Sequence, residues 1–166
     1  MAQHEQCPQL QDLPRNIQQF WEEKQQECGE QVIIFSYAVL LGSSEAPTPE
    51  KSGILYLMER NLWFEDFPKP PFFLFNRATT YKKTLLQIPR TTILTVELIK
   101  KSGFEVCLQG KPSRTGALQK LFTIFVPDPV YLRVVQRRDG QESDLYYFRE
   151  LNEPEAWIQA FKNQIS

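Results

Sequence analysis

The stretch 68–83 carries the densest grouping of side chains that could meet a ligand: Lys69, Arg77, Lys82 and Lys83, without an acid among them, interleaved with Phe72, Phe73, Phe75 and Tyr81. Cations beside exposed aromatic rings suit an anionic membrane interface, where the rings enter the headgroup layer and the charges gain from the surface potential. Arg137 and Arg138 form a second basic pair. The competing reading puts the phenylalanines in a core or over a sheet edge and leaves the lysines solvated. Aromatic side chains are more often buried than displayed, which favours that reading. Pro68-Lys69-Pro70-Pro71 is better taken as a loop stiffener than as a polyproline ligand.

Catalytic chemistry finds little to work with. His4, the single histidine, lies in a Gln-rich polar start expected to be mobile, which removes Ser-His and Cys-His arrangements. Glu22-Glu23 and Glu65-Asp66 are adjacent in sequence and read as solvated surface rather than as acid/base partners. No Gly-rich phosphate loop occurs. Cys7, Cys28 and Cys107 are scattered, without the spacing of a metal site. The expectation is a non-enzyme with no catalytic residue, metal or cofactor.

The 166 residues suit one domain, and 42% hydrophobic with 13% aromatic residues place the chain among globular proteins. A net charge of −1 argues against a nucleic-acid coat, which needs an excess of Lys and Arg to displace counterions. Lys100, Lys101, Lys111, Arg114 and Lys120 do cluster, but Phe104 alone could stack on a base, and a solvated loop is the better reading. Scattered cysteines suit a reducing cytoplasm. The start shows no basic region followed by an apolar core, and no apolar run approaches the roughly 20 residues that span a bilayer. A soluble, cytoplasmic protein is expected.

The elements that must hold these residues follow from pattern. Asp12 as N-cap, Pro14 in the first turn and Gly29 as stop bracket an amphipathic helix with Ile17, Phe20, Trp21 and Cys28 at helical spacing. Residues 31–41 are β-branched and aromatic enough for a strand. Residues 53–67 form a hairpin, with Leu55 and Leu57 on one face and Ile54, Tyr56 and Met58 on the other. Glu59-Arg60-Asn61 makes its turn, with Asn61 suited to a left-handed conformation. Further strands are expected at 84–88, 91–99, 104–108, 121–126, 130–136 and 145–148, with Asp139-Gly140 turning the last pair. Asn152 is placed as the cap of a closing helix whose stripe is Trp157, Ile158, Phe161 and Ile165.

Gly53-Ile-Leu-Tyr-Leu followed by Asn61-Leu-Trp-Phe resembles the opening of a GRAM domain, a branch of the pleckstrin-homology superfold. Ile88-Pro89 with Thr92-Ile93 and Thr95-Val96-Glu97 resembles that family's Ile-Pro…Ile-x-x-Val-Glu segment, and Glu155-Ala156-Trp157-Ile158 with Phe161 resembles its closing helix. The order and spacing of these strings carry the likeness; each alone is mostly hydrophobic pattern. The resemblance implies a mainly β, bent antiparallel sheet or partly open barrel over residues 31–166, closed by the C-terminal helix, with residues 1–30 an added polar tail and amphipathic helix. It further implies a protein- or peptide-binding module that uses a strand edge or the groove beside the last helix. Tight phosphoinositide recognition is not expected, because the first inter-strand loop offers Lys51 beside Glu45 and Glu50 and no other cation before Arg60. The alternative is weak peripheral binding to anionic membrane through residues 69–83 and 137–138, which in the family layout would share one end.

Overall fold

The polar interruption at Glu59-Arg60 divides two apolar runs that pair as a hairpin, β2 (Lys51–Met58) and β3 (Asn61–Asp66), in the computed structural model, described here for residues 8–43, 50–67, 83–101, 103–104, 129–137 and 143–163. Leu55 pairs with Phe64 and Leu57 with Leu62, and all four are fully buried on one face. Tyr56 opposite Trp63 lies on the other. Asn61 is the first residue of β3, not a left-handed turn residue; the positive-φ non-glycine residues described are Glu150 and Glu153.

The remaining strands are β1 (Val32–Ser43), β4 (Leu85–Pro89), β5 (Ile93–Lys100), β6 (Val130–Gln136) and β7 (Asp144–Arg149). They form a seven-stranded sheet in the order β4-β3-β2-β1-β7-β6-β5. The pairs β1–β7, β2–β3, β3–β4, β5–β6 and β6–β7 are antiparallel. A single 3₁₀ turn, Arg90–Thr92, links β4 to β5, in keeping with the break expected at Pro89-Arg90. The helices are α1 (Pro8–Gln11), α2 (Arg15–Cys28) and α3 (Pro154–Lys162).

The chain divides into two compact units, Met1–Tyr37 with Lys51–Thr91, and Ala38–Glu50 with Thr92–Ser166. In the first, Trp21 of α2 is 1% exposed and packs on Phe35 (ring centroids 4.5 Å) and edge-on to Tyr56 (5.4 Å). Val32 and Met58 complete the buried cluster, with Leu10, Leu13, Cys28, Ile54 and Trp63 packed against it. The stripe of α2 is narrow: of the residues at helical spacing Trp21 is buried, while Ile17 and Phe20 stand exposed. The helix also starts without the Asp12 cap: the Pro14 carbonyl accepts the Ile17 N–H (2.8 Å) and the Gln18 N–H (3.1 Å). Gly29 ends it as expected, left-handed at φ 65°, its N–H donating to the Gln25 carbonyl at 2.9 Å.

In the second unit, Leu98, Leu132 and Phe148 stand in one cross-strand row and Glu97, Arg133 and Tyr147 in the next. Leu132, Val134 and Phe148 are fully buried, and α3 packs on β5 and β6 with Trp157 and Phe161 inside. Its cap position is held by Glu153 in a left-handed conformation (φ 48°), with Pro154 next, and not by Asn152. A left-handed residue turns the chain directly into the fixed φ of the proline, so the side-chain cap is displaced. Lys101, Gly103 and Phe104 are helical where a strand is expected from Phe104 onward. The Phe104 ring meets Tyr131 and Tyr147 edge-on at 5.0 and 4.9 Å, a contact that gives the residue a place off the ladder. Residues 105–108, 121–126, Asp139-Gly140 and Ile165 lie outside the described residues.

Gly53 cannot be replaced without moving backbone: a Cβ there would sit 2.1 Å from the Glu65 carbonyl oxygen and 2.8 Å from the Asp66 Cα. Gly53→Ala is expected to destabilise by more than the roughly 1–3 kcal/mol typical of overpacking, seen as a fall in the urea midpoint; an unchanged midpoint would contradict the hairpin register. Trp21→Ala should cost about 3–5 kcal/mol, and a loss within error of zero in the same assay would show that α2 does not contribute to the core.

Candidate functional site

The described residues with strongly perturbed ionisation meet at one place in the first unit. Glu65 and Asp66, expected on the solvated surface, are both buried. A lone carboxylate in such a place would be neutralised by desolvation, so the arrangement depends on what surrounds it. Lys24 of α2 places its Nζ 2.8 Å from Glu65 Oε1. Lys83, just before β4, places its own at 2.5 Å from Oε2, and the Tyr56 hydroxyl donates to Oε1. Groups from α2, from β2 and from the segment before β4 thus converge on one side chain.

The titration shifts follow from that geometry. Burial by itself would raise the Glu65 carboxyl, but the hydrogen bonds from Lys24, Lys83 and Tyr56 outweigh it and bring the group down from 4.5 to about 2. Burial likewise pushes the Tyr56 phenol up, and its bond to Glu65 adds to the effect. For Lys24, burial works against the ammonium, while Glu65 and then Glu27 overcompensate and hold it above the ordinary lysine value. The half-buried Cys28 thiol is pushed up, mainly by burial. Apart from this centre, Arg90, whose guanidinium donates to the Glu59 carbonyl, is pushed down by burial.

Two further carboxylates secure the frame around this centre. Glu30 accepts the Arg60 backbone N–H at 2.7 Å and a hydrogen bond from Asn61 Nδ2 at 2.5 Å, tying the segment that leaves α2 to the β2–β3 turn. Asp66 Oδ1 accepts the Thr84 N–H at 2.6 Å while its own N–H donates to the Thr84 carbonyl at 3.2 Å. Lys51 Nζ adds 2.7 Å to the Thr84 hydroxyl. The chain therefore enters β4 in fixed register.

Of the residues singled out from sequence, Lys83 joins this network, and Arg137 lies exposed after β6 in the second unit, its backbone N–H donating to the Thr92 carbonyl at 2.7 Å. Lys69, Phe72, Phe73, Arg77, Lys82 and Arg138 lie outside the described residues. The sequence reading missed Glu65 as a centre. The available signal was its alternation: Trp63 and Glu65 share the face that carries Tyr56, the face that α2 covers. Among the described residues no cluster of His, Cys, Asp or Glu could hold a metal ion, and no helix is long and apolar enough to cross a membrane.

The edge of the sheet in the second unit is a different kind of surface. Strand β5 is terminal in the strand order, with Leu94 47% exposed and Thr95 exposed on it, and α3 packed on β5 and β6. Directly opposite residues Glu97 and Arg133 are paired at 2.7 Å, fixing the β5–β6 register by a cross-strand charge contact.

No protein-family model matches the chain, and no curated protein matches it. Among solved structures it is similar to the C-terminal domain of an unknown protein from Leishmania infantum, at 13% identity over 90% of this chain and 97% of that one, with a TM-score of 0.49. That similarity is too low to assign a function.

The depressed Glu65 pKa makes stability depend on pH with a definite sign. With the folded value below the unfolded one, the contribution is fully present above about 4.5 and is lost as pH falls toward 2. Urea midpoints for the native chain should therefore drop between pH 5 and 2, and Glu65→Gln should flatten that limb; equal slopes for the two proteins would exclude Glu65 as the group responsible. Lys24→Met is expected to cost about 1–3 kcal/mol and much less in a Glu65→Gln background, a double-mutant cycle that additivity would contradict.

Proposed function

We propose that the chain is a non-catalytic module of the pleckstrin-homology superfold, of its GRAM-like branch, that binds an extended segment of a partner protein. The strand order, the closing helix after the last strand, and a glycine that the first hairpin cannot replace at the head of the Gly-x-Leu-Tyr string support the family reading. The observation that carries the binding reading is β5: a terminal strand with exposed Leu94 and Thr95, beside a helix that packs on it. Among the described residues β5 has a strand partner on one side only, an edge that can accept an added strand, and the neighbouring helix gives alternate side chains of that strand a place to bury.

Among the described residues, the shifted groups around Glu65 are not activated for acid–base or nucleophilic chemistry. A carboxylate at about 2 is a weak general base, and a raised phenol and a raised thiol are poorer nucleophiles than ordinary ones. The alternative, peripheral attachment to anionic membrane through the basic–aromatic stretch, has Lys83 already engaged by Glu65, which leaves less free charge to attract a surface.

A display library of extended peptides with alternating apolar positions tests the proposal. Selected peptides should bind the native chain, lose at least tenfold in affinity to Leu94→Lys, and protect β5 amides from hydrogen exchange. Failure to select any peptide, or protection confined to other strands, would overturn the β5 assignment. Vesicle sedimentation in parallel reads the alternative: salt-sensitive binding to anionic lipid, lost in Lys69→Glu/Lys82→Glu, would replace the peptide reading with the membrane one. Lys83 is left intact in that variant because reversing it would place a second carboxylate against buried Glu65.

A further inference from the structure

We draw no further inference here: the strongest candidate, the surface patch of the first unit where the stacked rings of Tyr37 and Phe67 stand exposed, is an unpartnered apolar face, and nothing in the structure shows what covers it.

Discussion

Keeping the Glu65 carboxylate charged inside the first unit is the constraint on which the placement of its neighbours depends. A buried anion without partners would be far too costly, and here the compensation comes from an ammonium on α2, another at the entry to β4 and a phenol on the adjoining strand. Hydrophobic burial of Trp21 would hold a helix somewhere on that face, since apolar contact has little directional preference. The Lys24–Glu65 pair, one helical turn beyond Trp21, fixes which way the helix lies and how far it has advanced. Glu30 then secures the chain leaving the helix, by taking the backbone of the hairpin turn. The three contacts act in series and hold α2 within the first unit.

Much of this frame was legible in the sequence, for reasons tied to periodicity. Leu55 and Leu57 alternate with Tyr56 and Met58, and a two-residue period leaves no choice about which side chains share a face. Gly29 has the residue type that a left-handed helix end requires, and the apolar run of 130–136 is a strand with those bounds. What escaped is what depends on partners remote in sequence. Adjacent acids at 65 and 66 read as surface because their compensating lysine and threonine come from other elements. Asp12 and Asn152 are good cap residues by type, but a proline nearby set the backbone in each case and the helix began from the proline's own geometry. Ile17 and Phe20 share a spacing with Trp21, yet spacing alone does not say how wide a stripe the opposing face can cover.

The candidate surfaces were less legible than the frame. The basic–aromatic stretch drew attention because its residue types suit a membrane, and Lys83, its described cation, turns out to be engaged by a buried carboxylate. Composition could not distinguish a lysine available to a partner from one required by the fold. The β5 edge, by contrast, has ordinary composition: Ile93–Lys100 alternates poorly, with no residue fully buried. Its position at the end of the strand order is what makes its exposed residues a candidate, and strand order is a property of the pairing and not of any one segment.

That contrast bears on where specificity would reside. An added strand gains most of its affinity from backbone hydrogen bonds, which every sequence can make, so discrimination falls to the side chains flanking the edge. Here the cross-strand rows give the flanks different chemistry: Val96 and Leu98 stand in register with buried Val134 and Leu132, whereas Glu97 stands in register with Arg133. A bound strand would meet apolar neighbours at alternate positions on one face and the Glu97–Arg133 ion pair on the other. Because Glu97 and Arg133 hold each other, a charge on the incoming strand gains little from either. If β5 takes a strand as proposed, the apolar row would do the discriminating, and a ligand strand would be selected by the shape of its apolar residues more than by its charge.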